Sequence, residues 1–465
     1  MPSPRLSAAL LAGRGAAALS RRLGRGGGTV IAGHLVPRMA PRALRDLTRQ
    51  LPLGSAVVSG TNGKTTTTRL IAHILRQAGH HPVHNRAGAN LLTGLFSAVV
   101  QDASFFGRPR SDVGLFEVDE ATLPGALRHI EPRVLLLLNI FRDQLDRYGE
   151  VHFVAGIWQE AVARLGAATT LAVNADDPLV YGLVDHARGP RLLTYGVVDR
   201  SAGSPTLPHA VDARLCPRCG SAMAYDLAFY GHLGWFRCTA GDFTRPTPDV
   251  AVTRVDPQGD AGSLLTFRTP RGGFTAEFKL PGLYNVYNAL AATAACLALG
   301  VAPATIGRGL ETFTAAFGRL ERIPIERREL YLALVKNPVG FTEVLRTILQ
   351  QPGRRTLLLV INDQFADGTD ISWLWDVDFE SLADDRVNLA VCSGIRAEDM
   401  SVRLKYAGVP TERIRVENDV RAALEIALQA AEEGETVYAL PTYTAMLAVR
   451  DVLRQTGYVR GFWED

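Results

Sequence analysis

Residues Ser59 to Thr68 read SGTNGKTTTT, directly after the apolar run Ala56-Val57-Val58 and directly before a helical stretch. A glycine-rich loop at a strand-to-helix junction commits the chain around it to a parallel α/β sheet with an anionic ligand at the strands' C-terminal ends. Gly60 and Gly63 let the backbone turn tightly and aim its N–H groups at a polyphosphate, with Thr61, Asn62 and Thr66 completing the loop. The helix that follows adds its positive N-terminal end. Lys64 then supplies a point charge to the β- and γ-phosphates, and Thr65 a hydroxyl ligand to Mg2+. Val58 stands five residues before Gly63, where the standard pattern has a glycine, so the loop is a shortened form. ATP with Mg2+ is the ligand set it predicts.

The rest of the chain repeats the α/β signal. Short β-rich runs at Ala56–Ser59, Val113–Val118, Val134–Ile140 and Thr170–Asn174 alternate with helical segments. A second series follows at Tyr331–Val335, Thr356–Ile361, Val387–Cys392, Ile414–Val416 and Thr436–Leu440. At 465 residues the chain exceeds one simple core. The predicted division is a helical N-terminal extension over 1–48, a central ATP-binding α/β domain over 49–318 and a Rossmann-like α/β domain over 319–465. Within the central domain, 205–250 breaks into Pro, Gly, Cys and aromatic residues, as an insertion does. Hydrophobic residues make up 47% of the chain, enough for large cores, yet no apolar run approaches the roughly 20 residues of a membrane span. A formal charge of +3 gives no reason to expect nucleic acid. If the Leu/Ala face of the extension is exposed, it could rest on a membrane surface or a partner.

Glu117, Asp119 and Glu120 close the strand Val113–Val118 in FEVDE, where carboxylates reach a metal at the phosphate loop, and Glu117 is the first choice. Cys216-Pro217-Arg218-Cys219, eighteen residues and then Cys238 match the first three ligands of a zinc ribbon. Gly241, followed by Asp242, occupies the place of the fourth. Either Asp242, His232 or water completes a Zn2+ site, or the insertion is a metal-free remnant held by Tyr225, Phe229, Tyr230, Trp235 and Phe236. Three of five cysteines in metal-like spacing argue for a reducing, cytoplasmic setting over a disulfide framework. Cys296 and Cys392 read as core residues.

GTNGKTT, the run Asn139-Ile140-Phe141-Arg142-Asp143-Gln144-Leu145-Asp146, Asn174-Ala175-Asp176-Asp177-Pro178 and the segment Leu280–Ala289 together resemble the Mur ligase family, which joins amines to carboxylates through an acyl phosphate. The resemblance implies Mg2+ ligation at Gln144, which replaces the family's histidine, an adenine contact from Asn288 and a phosphate contact from Arg319. Asp363-Gln364-Phe365-Ala366-Asp367-Gly368-Thr369-Asp370-Ile371-Ser372-Trp373, with Lys336-Asn337-Pro338 and Pro441-Thr442-Tyr443-Thr444, is similar to the MurT-type branch. That branch implies amidation of the D-glutamate α-carboxylate of the lipid II stem peptide to D-isoglutamine, at the inner face of the membrane. It also implies ammonia from a GatD-type glutaminase subunit, whose Cys–His pair Asp370 would complete across a heterodimer contact. The rival readings are an amino-acid-adding ligase of the Mur or folylpolyglutamate type and a non-catalytic ATP-binding scaffold.

Overall fold

The structure, a computed structural model, describes residues 4–22, 31–85, 89–104, 106–143, 151–207, 211–314, 319–350, 353–383 and 385–459. Its larger sheet is built from β1 (Ser55–Ser59), β2 (Pro82–His84), β3 (Val113–Glu117), β4 (Val134–Leu137), β5 (Thr170–Asn174) and β6 (Arg191–Val197). After a separate hairpin of β7 (Met223–Tyr230) and β8 (Leu233–Cys238), the strands β9 (Val250–Pro257), β10 (Ser263–Thr269) and β11 (Gly272–Phe278) complete it. The order is β11-β10-β9-β6-β5-β4-β1-β3-β2. From β2 to β9 the strands are parallel, and β10 and β11 return antiparallel.

Burial of both faces of the sheet explains why β4 is apolar throughout and β1 apolar from Ala56 to Val58, with every residue of both strands buried. Ala56, Val58, Val134 and Leu136 enter one core with the helices Lys64–Gln77 and Leu283–Leu299. Val57, Leu135 and Leu137 enter the other with the helices Leu92–Asp102 and Val151–Val162. The helices Pro4–Arg22, Ile31–Met39 and Ala43–Thr48 belong to this second core, where Leu6, Ala9, Leu10, Val36, Leu44 and Leu47 are buried. The Leu/Ala face of the N-terminal extension therefore packs inward, which corrects the expectation that it serves a membrane or partner. Among the described residues no helix is long and apolar enough to cross a membrane.

The second sheet holds β12 (Arg319–Ile325), β13 (Arg328–Ala333), β14 (Arg355–Val360), β15 (Val387–Ser393), β16 (Ile414–Val416) and β17 (Thr436–Pro441). Its order is β12-β13-β17-β14-β15-β16, parallel except for the edge strand β12. Sequence patterning missed β2, β6, β7, β8, β9 and β12, and overextended β4. The apolar run that continues to Ile140 leaves the sheet after Leu137 because its backbone bonds go elsewhere. Asn139 O accepts from Thr61 N at 3.0 Å, Ile140 N donates to Asp177 Oδ2 at 3.0 Å, and Phe141 N donates to Thr61 Oγ1 at 3.0 Å.

Candidate active site

The phosphate loop spans the C-terminal end of β1 and the first turn of the helix Lys64–Gln77, and its two glycines carry positive φ, +152° at Gly60 and +86° at Gly63. Both are also short of room. A Cβ on Gly60 would stand 2.7 Å from Leu138 Cβ, and one on Gly63 would stand 2.1 Å from Asn288 Oδ1. Asn288, expected at the adenine, thus borders the loop, accepting from Thr67 Oγ1 at 3.2 Å and donating to Asn285 Oδ1 at 3.0 Å. On the other side Asn62 N donates to Asn139 Oδ1 at 2.8 Å, and Asn139 Nδ2 returns a bond to Asn62 O at 3.1 Å. The loop is held open from both flanks before any ligand arrives.

Lys64 is buried, and its ammonium group donates to Gly60 O, to Thr61 O at 3.2 Å and to Glu120 Oε2 at 3.0 Å. Thr65 Oγ1 donates to Glu117 Oε1 at 3.1 Å. Asn85 fixes the end of β3 by accepting from Glu117 N at 2.9 Å and donating to Glu117 O at 2.8 Å. Glu120 is the residue that sequence reasoning ranked below Glu117, yet it is the direct partner of the lysine. Burial opposes the charge on Lys64, but Glu120 and Glu117 outweigh it and raise the lysine pKa. Burial also raises the pKa of Glu120, against the pull of Lys64 and Lys336. Both members of the pair thus favour their protonated forms, the lysine because acids surround it and Glu120 because it is buried.

Mg2+ with ATP, which the Mur ligase fold implies, fits these residues. Glu117, Asp119, Glu120 and Asp143 gather near Lys64 and Lys336, and among the described residues Asp143 Oδ1 is buried without a hydrogen-bond partner. Thr65, Glu117 and Asp143 offer hard oxygen donors of the kind Mg2+ takes. Gln144 lies outside the described residues, as does the side chain of Arg319, whose backbone opens β12.

The second domain reaches the loop directly. Lys336 Nζ donates to Thr61 O at 3.2 Å and pairs with Asp143. Asn337 Nδ2 donates to Asn62 Oδ1 at 2.9 Å, while its own Oδ1 caps the helix Pro338–Ile348 by accepting from Gly340 N at 2.8 Å. Lys336 and Asp143 were missed as site residues; only the lysine-asparagine-proline motif hinted at them. Asp370 is not part of this cluster. It lies on the loop after β14 and accepts from Ser372 N at 2.8 Å. Its neighbour Asp367 is buried and anchors the loop, accepting from Thr444 N at 2.7 Å and Thr444 Oγ1 at 2.5 Å. Asp370 borders a groove of about 510 Å3 with Ser372, Leu374, Trp375, Asp399 and Val402. Phe365, earlier on the same loop, is 82% exposed, and Trp375 in the groove 55%.

The inserted hairpin brings Cys216, Cys219 and Cys238 together, with all three sulfurs within 4.8 Å of one another. Three thiols at that spacing suit a soft, tetrahedral ion such as Zn2+. His232 is no part of the group: it is fully buried at the hairpin's tip, 3.2 Å from Asp177 Oδ1, with its ring tilted against that of Phe141 at a centroid distance of 4.6 Å. Asp242 turns outward to Arg218 at 3.4 Å.

Comparison with known proteins agrees with this geometry. Residues 58–207 match the Mur ligase middle domain and residues 334–446 the MurT ligase C-terminal domain. The chain is 32% identical over 457 residues to the lipid II isoglutaminyl synthase (glutamine-hydrolyzing) subunit MurT of Streptococcus pneumoniae, covering 97% of each chain. It is 32% identical to the subunit of the same name from Staphylococcus aureus, covering 94% of this chain and 95% of that one. Among solved structures, a pseudomurein peptide ligase type C from Methanothermus fervidus shares the fold, with a TM-score of 0.66 and 22% identity over 86% of this chain and 78% of that one. With both family domains in order and near-complete coverage of its relatives, the chain belongs to the MurT family of Mur ligases.

Proposed function

We propose that this chain is the ATP-consuming subunit of a lipid II amidating ligase, converting the α-carboxylate of D-glutamate in the stem peptide to the amide of D-isoglutamine. The observation that carries the proposal is the joining of an intact phosphate site to a chain with no thiol suited to hydrolyse glutamine. Lys64, Thr65, Glu117 and Glu120 are assembled at the loop. Of the five cysteines, three converge at the hairpin, and burial raises the thiol pKa of Cys296 and pushes that of Cys392 up to about 12. A nitrogen supply from a second subunit of the GatD type follows. The exposed Trp375, which lines the same groove as Asp370, gives such a subunit an apolar surface to dock on, with the Asp370 carboxylate at hand to orient its histidine.

Chemically, a carboxylate is a poor electrophile. Transfer of the γ-phosphoryl group of ATP to one of its oxygens gives an acyl phosphate and ADP. Ammonia attacks the carbonyl carbon, the C–O bond to phosphate breaks, and a proton leaves the nitrogen. Lys64 and Lys336 neutralise charge spreading over the phosphoryl oxygens, and Gly60 and Gly63 let backbone N–H groups approach them. Thr65, Glu117 and Asp143, with Gln144 next to Asp143 in sequence, would hold Mg2+, which would supply further charge neutralisation. Asn288 lines the nucleotide side of the loop, and the family resemblance assigns Arg319 a phosphate contact. Lys336 and Asn337 bring the second domain over the loop, which excludes water and protects the acyl phosphate. Cys216, Cys219 and Cys238 would hold Zn2+ away from the chemistry. Work takes place in the cytoplasm, where the lipid II headgroup is presented at the inner face of the membrane.

The test is mass spectrometry of lipid II incubated with the purified chain, ATP, Mg2+ and ammonium, and with glutamine plus a glutaminase subunit. Conversion of one carboxylate to an amide is expected under both nitrogen sources. ATP turnover only with a free amino acid would instead assign an amino-acid-adding ligase.

A further inference from the structure

The cysteine hairpin departs from a closed metal site in one respect. Its three sulfurs come from two segments, the turn Cys216–Cys219 and the end of β8, and no other His, Cys, Asp or Glu among the described residues joins them. Gly241 follows Cys238 by three residues, where a fourth thiol would come from. An ideal Cβ there lies 3.7 Å from Cys238 Sγ and meets nothing else within 4 Å, and Gly241 is not among the positive-φ glycines. The fourth corner is therefore reachable from the backbone, unstrained, and vacant of protein atoms.

The two side chains that could fill it are committed elsewhere. Asp242 has a side chain 96% exposed and is paired with Arg218, whose guanidinium is also tied to Asp185 by bonds of 2.6 and 2.8 Å. His232 begins the far end of β8, buried against Asp177 and Phe141. Cys216 and Cys238 are buried on the protein side of the cluster with Met223, Phe236 and Phe243, while Cys219 faces solvent. The open corner is thus on the wet side.

We propose that Cys216, Cys219 and Cys238 form a three-thiolate site for Zn2+ whose fourth position is open to solvent and binds an exchangeable external ligand, water in the resting protein and a small thiol when one is supplied. The proposal rests on the zinc reading above. Three thiolates and Zn2+ carry a net charge of −1, so water, which adds no charge, is the ligand of least cost. A small thiol binds by losing its proton to solvent as its sulfur replaces the water, with no change of oxidation state. An open position is what separates reactive zinc sites from closed structural ones.

The experiment uses the full chain, stripped of metal and reloaded with Zn2+ for X-ray absorption or with Co2+ for optical spectra. Three sulfur scatterers and one oxygen are expected, changing to four sulfurs when β-mercaptoethanol is added, with a matching rise in thiolate-to-cobalt charge transfer. Gly241→Cys should show four sulfurs without added thiol, lose the response to it, and hold Zn2+ on the order of tenfold more tightly against a chelator. Asp242→Ala should behave as the parent does. Four sulfurs in the parent, an altered coordination shell in Asp242→Ala, or no response to thiol would overturn the open position and leave the zinc site standing. A parent chain that binds neither ion while Gly241→Cys does would overturn both readings, and the folded state of each protein is checked by its ATP affinity.

Discussion

Replacing Gly63 with alanine makes two separable demands on the phosphate loop. At a φ of +86° an L-residue is in the left-handed region, which costs about 1–2 kcal/mol. The new methyl group would also stand 2.1 Å from Asn288 Oδ1, so Asn288 must turn away. That forfeits its bonds with Thr67 at 3.2 Å and Asn285 at 3.0 Å, at about 1 kcal/mol each. Together the cost is about 3–4 kcal/mol. A loop held rigid by Asn139 and Asn288 shows this as lost folding stability, and a loop that relaxes shows it as lost nucleotide affinity, on the order of a hundredfold or more. Thermal unfolding and calorimetric ATP binding are therefore measured on Gly63→Ala, Asn288→Ala and the double variant. Removing the Asn288 amide relieves the collision and leaves the backbone strain, so the double variant should fall short of the summed single effects by about 2 kcal/mol. Strict additivity, or parental stability and affinity together in Gly63→Ala, would refute the packing argument.

Lys64→Ala should lower ATP-dependent amide formation by at least on the order of a hundredfold, read by mass spectrometry of lipid II. Asp370→Asn should abolish glutamine-driven amidation and spare the ammonium-driven reaction; equal loss with both nitrogen sources would remove Asp370 from the partner's triad. Lys336→Ala should lower kcat more than it raises the KM for ATP, because the second domain then loses its hold on Thr61 and Asp143. Glu343, buried on the helix Pro338–Ile348, has its pKa pushed up to about 7 by desolvation, with Arg346 at 2.9 Å only partly offsetting it. The unfolded chain ionises this group near 4.5, so the native state loses stability as pH rises from there to about 7 and stays penalised above, by about 3 kcal/mol at most. Glu343→Gln should therefore melt higher than the parent at pH 8 and close to it at pH 4.5, and a larger gain at the acid end would contradict the sign.

Local chemistry was legible in the sequence wherever function sits on contiguous residues. SGTNGKTTTT announced both the loop and the parallel sheet, and FEVDE placed carboxylates at the adjoining strand end. What was not legible depends on pairs far apart in the chain. Lys336 meets Thr61 across 275 residues and Asp143 across 193, and neither partner carries a local pattern that points to the other. Glu120 was ranked below Glu117 because position alone does not say which acid faces the lysine; β3 ends at Glu117, and the turn after it swings Glu120 under Lys64. The Leu/Ala composition of the first helix is equally suited to a membrane face and a buried one, and only the groove beside the helix Leu92–Asp102 decides between them. Gly13 marks that contact, since a Cβ there would stand 2.6 Å from Val36 Cγ2 and 3.5 Å from Val100 Cγ1.

Three consecutive residues after β4 explain why the insertion and the second domain both bear on the phosphate loop. Phe141 packs on the hairpin tip, where a Cβ on Gly231 would lie 2.7 Å from its ring and 3.3 Å from Val339 of the second domain. Arg142 pairs with Asp212 of the insertion at 2.6 Å and with Asp376 of the second domain at 3.2 Å. Asp143 pairs with Lys336, which also holds Thr61. The same segment touches the loop through Asn139 and Asn62, and it is pinned from below by Asp177, the partner of His232. Both modules therefore bear on one short, heavily bonded strip, and the second domain also bonds the loop directly at Thr61 and Asn62. A rigid shift of the second domain cannot leave that strip in place without breaking the ion pairs at Arg142 and Asp143, so the position of the domain and the shape of the nucleotide site are set together.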